Sequence, residues 1–211
     1  IAVGAKRSRQ LPIPGVDAVG VLGGVEFLRD VALGHRPPLG KRVVVIGGGN
    51  VAYDVGRTVI RQISIDTART AMRAIGVGEV YLCSLESLEE MPADDVEIIE
   101  GDEEGIRRRN SVGPKEILKD ASGRVRGIVF KKCLRVFDEQ RRFSPLFDES
   151  ATEEIACDNV LISVGQTFDL SFIDAARDGV ELLPNGAIRC NAETGETSAP
   201  DFNEKPQNAH I

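Results

Sequence analysis

One stretch constrains this chain more than any other: Lys41-Arg42-Val43-Val44-Val45-Ile46-Gly47-Gly48-Gly49-Asn50-Val51-Ala52. A short, wholly apolar run of β-branched residues is what a parallel strand covered on both faces requires. Three glycines stop it, and from Asn50 the period changes. Val51, Val55, Val59 and Ile63 recur every four residues with Ala52 and Ile60 beside them, so one face of a helix is apolar. The pattern resumes at Ala68, Ala71, Met72 and Ile75 and ends at Gly76 and Gly78. Residues 79–83, with Val80 and Leu82 apolar, read as a second strand. Strand, glycine turn, helix and strand make a β-α-β unit with a right-handed crossover.

Gly47 to Ala52 fits the spacing G-x-G-x-x-A. The first glycine permits a tight strand-to-helix turn, the second lets a pyrophosphate approach the backbone, and the small Ala52 lets helix and strand pack closely. The helix start adds free N–H groups and a positive dipole end. Gly47, Gly48, Gly49, Asn50 and Val51 are therefore candidate dinucleotide-binding residues, against the plainer alternative of a purely structural turn. Asp54 either orients this loop or a ribose, or is a carboxylate favoured near the positive helix end. The end of the second strand in such a fold lies beside the adenosine ribose, where an acidic side chain accepts from the 2′-OH and repels a 2′-phosphate. Cys83-Ser84-Leu85-Glu86-Ser87 stands there without an arginine. Glu86 is the candidate acceptor and favours NAD(H) over NADPH; the alternative is a solvent-facing loop glutamate.

The remaining segments set the fold class. Residues 1–5 read as the end of a buried strand, 6–17 as an irregular loop, 25–31 as a short helix, and 35–40, with Pro37 and Pro38, as a linker. Residues 94–104 hold seven acidic residues with Val96, Ile98 and Ile99 as an apolar stripe. That is a solvated amphipathic helix in preference to an acidic docking face. Residues 114–118, 125–136 and 153–157 read as strands, with turns at Ser122-Gly123 and Asp138-Glu139. They form an antiparallel β meander inserted before a last parallel strand, 159–164, which runs into Gly165-Gln166. From Gly195 onward no period remains, and a poorly ordered tail is expected. The fold class is α/β, a Rossmann-like parallel sheet with an inserted meander.

Composition excludes several functions. The 211 residues carry 26 Lys+Arg and 33 Asp+Glu, a formal charge of −7. An acidic chain without Trp and with two Tyr lacks both the basic face and the stacking platforms of a nucleic-acid binder. No apolar run approaches the roughly 20 residues of a membrane helix. Cys83, Cys133, Cys157 and Cys190 form no Cys-x-x-Cys, so neither a metal centre nor a redox dithiol is expected. Four reduced cysteines suit a cytoplasmic protein. A short-chain dehydrogenase needs Tyr with Lys four residues on, but Tyr53 is followed by Arg57 and Tyr81 by Leu85.

Several motifs occur in a telling order: Ile-Ala-Val-Gly-Ala-Lys from Ile1, Leu-Pro-Ile-Pro-Gly from Leu11, the glycine stretch through Asp54, Glu-Glu-Met-Pro-Ala from Glu89, and Val-Leu-Ile-Ser-Val-Gly-Gln from Val160. Together they resemble the small chain of glutamate synthase and related flavoprotein electron-input modules, including the corresponding part of dihydropyrimidine dehydrogenase. The resemblance implies two interleaved dinucleotide folds, one for FAD and one for NAD(P)H. Hydride would pass from nicotinamide to flavin, and electrons would leave through an iron–sulfur domain or subunit. The cofactors carry that chemistry, so no catalytic acid or base is assigned, and neither His35 nor His210 is given a role. Gly165 and Gln166 fall on the turn that approaches the nicotinamide end. Leu85 and Glu86 fall where NADPH-using members carry two arginines.

The resemblance also implies boundaries: 1–40 as FAD-domain remnant and linker, 41–158 as the NAD(H)-binding domain, and 159–211 as return strand, FAD-domain remnant and tail. Both FAD-binding ends of the family pattern fall outside the chain. FAD is therefore expected in the full-length protein and not in this chain alone, which would then be inactive by itself. The alternatives are a non-catalytic dinucleotide-binding or interaction module, and a truncated remnant with exposed apolar edges.

Overall fold

The computed structural model describes residues 4–70, 78–183 and 186–199, with backbone alone for 64–70. Its elements in chain order are β1 (Arg7–Ser8), β2 (Val21–Gly23), α1 (Gly24–Ala32), β3 (Arg42–Ile46), α2 (Asn50–Thr70), β4 (Glu79–Cys83), α3 (Asp95–Glu103), β5 (Arg107–Arg109), β6 (Val112–Lys119), β7 (Val125–Phe137), β8 (Phe143–Ile155), β9 (Asn159–Ile162) and β10 (Gln166–Thr167). The described residues divide into two compact units, one spanning Ser8–Gly165 and the other formed by residues up to Arg7 and from Gln166 on.

The larger unit is built on a five-stranded parallel sheet in the order β2-β9-β3-β4-β5. β3 is central, with Val44 opposite Tyr81 of β4 on one side and Val160 of β9 on the other. Successive side chains of a strand point to opposite faces. Val43 and Val45 accordingly join Ala52, Val55 and Val59 of α2 and Phe27 of α1 in one core. Val44 and Ile46 join Ile117, Ile128 and Phe130 of the antiparallel sheet β6-β7-β8 in a second core. Three layers result: helices, parallel sheet and meander. Both faces of the parallel sheet are covered, which explains why β3 carries no polar residue after Arg42.

Two local devices fix the helices. Gly23 at the head of α1 has no side chain with which to cap it. Ser8 takes its place: Val25 N–H donates to Ser8 Oγ at 3.0 Å, and Ser8 N–H donates to Glu26 Oε1 at 2.9 Å. This is the reciprocal bonding of a capping box with its serine brought from a distant segment. The second device joins α2 to α3. The Arg57 side chain, 15% exposed, donates from Nη1 to Glu97 Oε2 at 2.9 Å and from Nε to Glu104 Oε1 at 2.7 Å, and also pairs with Glu100. Three acids of the expected amphipathic helix thus face one arginine. Removing it with Arg57→Ala leaves them half-buried and mutually repelling. A loss of about 2 kcal/mol in urea denaturation is expected, less than a fully buried network would lose because the carboxylates are partly solvated. An unchanged midpoint would show that Arg57 does not anchor α3.

Several elements differ from the expectations above. β2 lies within the segment 1–40 and extends the parallel sheet beside β9, while α1 stands where the short helix over 25–31 is expected. Three half-buried residues, Val-Leu-Gly, give β2 too little pattern to read. β5 is three arginines at the far edge, paired with Tyr81, Leu82 and Cys83. Charged edge strands resist further pairing and carry no apolar signal. β8 is much longer than 153–157; its earlier half is a largely exposed edge strand that contains Pro145 and shows no regular alternation of apolar and polar residues. The helix from Asn50 is unbroken to Thr70, and residues 71–77 lie outside the described set.

In the smaller unit, Arg7 pairs with Asp169 at 2.6 Å, and Val180 and Ile188 are buried. Gly4 and Ala5 are not in a strand, and residues 1–3 lie outside the described set. Of the expected tail, Gly195 N–H donates to Asn191 O at 2.9 Å and Thr197 bridges Cys190. Residues 200–211 are not among those described. Among the described residues, no helix is long and apolar enough to cross a membrane.

Candidate dinucleotide-binding site

The chain leaves β3 through α2 toward β4 and β5, whereas β9 returns on the other flank of β3. That reversal puts a topological switch point at the carboxyl ends of β3 and β9, the place where open α/β sheets bind ligands. Three loops meet near it: Gly47–Gly49 after β3, Ser84–Glu86 after β4, and Ser163–Gly165 after β9.

The three glycines of the turn do different work. Gly47 N–H donates to Cys83 O at 2.9 Å, and Ser163 N–H donates to Ile46 O at 2.8 Å, so the turn begins clamped between β4 and β9. Gly47 has φ +149°, and a Cβ there would fall on the Ser163 carbonyl oxygen and 3.1 Å from Ala52 Cβ. The first glycine and the small Ala52 are thus required by packing. A Cβ on Gly49 would meet nothing within 4 Å, so the space above it is open. The Gly49 carbonyl accepts from Ala52 N–H at 2.9 Å, which makes Gly49 the residue that starts α2. A Cβ on Gly48 would lie 2.7 Å from Glu86 Oε2 and 3.2 Å from Ser84 Cβ. The Glu86 carboxylate therefore overhangs the middle glycine. A bare glycine turn at a helix start, open on its ligand side and with an acid beside it, is the cradle a dinucleotide needs.

The other candidates are placed as follows. Asn50 turns away toward α3: its Nδ2 donates to Asp94 Oδ2 and its Oδ1 accepts from Asp94 N–H, both at 2.8 Å. Val51 is half-buried in the first turn of α2. Asp54 is exposed on the surface of α2; partial loss of solvent around its carboxyl, helped by Glu97, raises its pKa against the pull of Arg57 and Arg61. Its charged neighbours belong to the α2–α3 network, not to the glycine turn. Gly165 has φ +106°, and its carbonyl accepts from Arg9 N–H at 3.0 Å. Gln166 is exposed at the start of β10. The structure thus brings Glu86 to the glycine turn and leaves Asn50 and Asp54 facing α3.

Residue-by-residue reading missed Ser163 and Gly24. A Cβ on Gly24 would clash with Ser163 Oγ and lie 3.1 Å from Val55 Cγ2. The Gly23-Gly24 pair just before an apolar-periodic segment was the available signal for a second close helix start.

The Cys83 and Cys157 thiols are fully buried. Burial raises the Cys83 thiol far above its ordinary value and pushes Cys157 up to about 12. Both should resist a maleimide at pH 8 in the folded chain and react once it is unfolded. Rapid native labelling of either would contradict their burial.

A glycine-rich turn at a switch point in a parallel sheet, with an antiparallel sheet on one face, makes this a Rossmann-like α/β domain. The chain belongs to the pyridine nucleotide-disulphide oxidoreductase family, whose sequence profile matches residues 1–202. It is 36% identical over 180 residues to the NADPH-Fe(3+) oxidoreductase subunit beta of Geobacter sulfurreducens, covering 82% of this chain and 24% of that protein. It is 32% identical over 207 residues to the NADP(+)-dependent formate dehydrogenase subunit beta of Moorella thermoacetica, covering 95% and 26%. A putative glutamate synthase [NADPH] small chain of Cereibacter sphaeroides is 28% identical, covering 95% and 47%. The chain thus spans about a quarter of the length of the first two relatives. Among solved structures, FprA of Mycobacterium tuberculosis in complex with NADPH has a TM-score of 0.62 at 22% identity, covering 78% of this chain and 49% of that one. Thioredoxin reductase of T. acidophilum has a TM-score of 0.60 at 21% identity, covering 94% and 53%. At these identities the two structures establish the fold alone.

Proposed function

We propose that this chain is the NAD(H)-binding part of an FAD-dependent oxidoreductase working in the cytoplasm. Hydride would pass from NADH to flavin, and electrons would go on to an iron–sulfur domain or subunit. The observation that carries this reading is the turn itself, with Gly47 closed by packing, Gly49 open and Glu86 over Gly48. The family and the names of the relatives support an oxidoreductase that takes electrons from a pyridine nucleotide. The subunit names of two relatives support a partner beyond this polypeptide.

When bound, the nicotinamide supplies the hydride and the flavin accepts it. The chain's own residues bind and orient. The backbone of Gly48 and Gly49, at the positive end of α2, holds the pyrophosphate. Glu86 accepts from the ribose hydroxyls. Gly165 and Gln166 form the turn on the nicotinamide side. No side chain here is assigned to move a proton.

A second reading, NADPH as the donor, is favoured by the printed names of the relatives, which specify NADPH or NADP(+). The test is anaerobic flavin reduction in the polypeptide that joins this chain to its flavin domain. Faster reduction by NADH than by NADPH supports the first reading. Equal or faster reduction by NADPH supports the second. A bound flavin that neither nucleotide reduces contradicts both and leaves a non-catalytic module.

A further inference from the structure

The loop that presents Glu86 is held more tightly than a surface loop requires. Its carbonyl oxygen accepts from three donors: Ser111 N–H at 2.9 Å, Ser84 Oγ at 3.0 Å and Asn110 Nδ2 at 3.4 Å. The Asn110 amide also reaches Ser84 Oγ at 3.1 Å and Met91 Sδ at 3.0 Å. Ser84 is itself buried, and its backbone is zipped to the segment after β5. Ser84 N–H donates to Arg109 O at 3.0 Å, and Val112 N–H donates to Ser84 O at 2.9 Å. Ser111 has φ +57°, the left-handed region that non-glycine residues rarely occupy. That conformation turns its N–H to Glu86 while its carbonyl accepts from Cys133 N–H at 2.8 Å. A strained residue persists only where its surroundings over-determine it.

None of these contacts touches the Glu86 carboxylate. They fix the backbone from which it projects, and so limit how far it can move from Gly48. A carboxylate on a loose loop would turn into solvent when a 2′-phosphate approached, and little discrimination would remain. From a fixed backbone the carboxylate has fewer positions to retreat to, so more of the like-charge repulsion acts.

We propose that Asn110, with Ser84, is a positioning residue for nucleotide selectivity: it locks the Ser84–Glu86 loop so that Glu86 rejects the 2′-phosphate of NADPH. This rests on the reading of Glu86 given under the proposed function.

The test titrates the chain with NADH and with NADPH and reads the ratio of the two dissociation constants. Asn110→Ala should lower the preference for NADH about five-fold, the effect of losing one hydrogen bond. Ser84→Ala should act in the same direction, and it carries the test if Asn110→Ala does not fold by circular dichroism. In a Glu86→Ala background, Asn110→Ala should leave the ratio unchanged, because it acts only through Glu86. A merely structural role would weaken both nucleotides alike; a ratio that Asn110→Ala leaves unchanged in a chain that keeps Glu86 overturns the proposal. So does a change that survives Glu86→Ala. If the natural chain shows no preference for NADH, the reading of Glu86 has failed and the proposal falls with it, a result separable from an unchanged ratio in a chain that does discriminate.

Discussion

Gly47→Ala is expected to cost the chain about 3 kcal/mol of stability, enough to leave a marginal domain largely unfolded. The added methyl falls on the Ser163 carbonyl oxygen, and φ +149° strains any L-residue. Ser163 cannot retreat freely, because its N–H donates to Ile46 O at 2.8 Å and so holds β9 to the central strand. The substitution therefore pushes apart β3 and β9 at the switch point itself. Urea denaturation measures the effect. An alanine variant within about 0.5 kcal/mol of the natural chain would show that Gly47 is a surface turn residue like any other.

Gly49→Asp is expected to do the opposite: leave the fold intact and abolish nucleotide binding. Nothing lies within 4 Å of a Cβ at Gly49, whose φ is not in the left-handed region. Aspartate is among the best residues at a helix start and suits the positive dipole end, so stability should hold or rise by up to about 1 kcal/mol. The same carboxylate would stand where the pyrophosphate must lie. Losing two charge-assisted hydrogen bonds to backbone N–H groups weakens binding on the order of 100-fold, before charge repulsion is counted. Calorimetric titration beside a thermal melt separates the two effects. A Gly49→Asp chain that binds as the natural one does would reduce the glycine turn to a structural device.

The contrast between these two glycines shows what the sequence made legible. The spacing from Gly47 to Ala52 assigned the tight turn to the first glycine, pyrophosphate approach to the second and close packing to Ala52; Gly47 and Ala52 meet in the packed turn, and the space above Gly49 is open. β3 was readable because both its faces are covered, so every residue after Arg42 is apolar. β2 and β5 were not, because short edge strands are specified by their neighbours and not by their own pattern. Asn50 and Asp54 sit where the motif predicts, yet Asn50 bonds Asp94 at the head of α3 and Asp54 lies among the charges of Glu97, Arg57 and Arg61, and no local pattern shows which way a side chain near a helix start will turn. The bonds among Ser84, Asn110 and Ser111 were invisible for a related reason: they join residues about 25 apart through a turn with a left-handed serine.

The account stands most directly on whether the glycine turn and Glu86 together hold NADH. Titrating the folded chain with NADH and NADPH under identical conditions tests this. Saturable NADH binding, at least about ten-fold tighter than NADPH, is the predicted result, a difference of roughly 1.4 kcal/mol. Tighter NADPH binding, or none of either nucleotide to a chain with a cooperative melt, would contradict it.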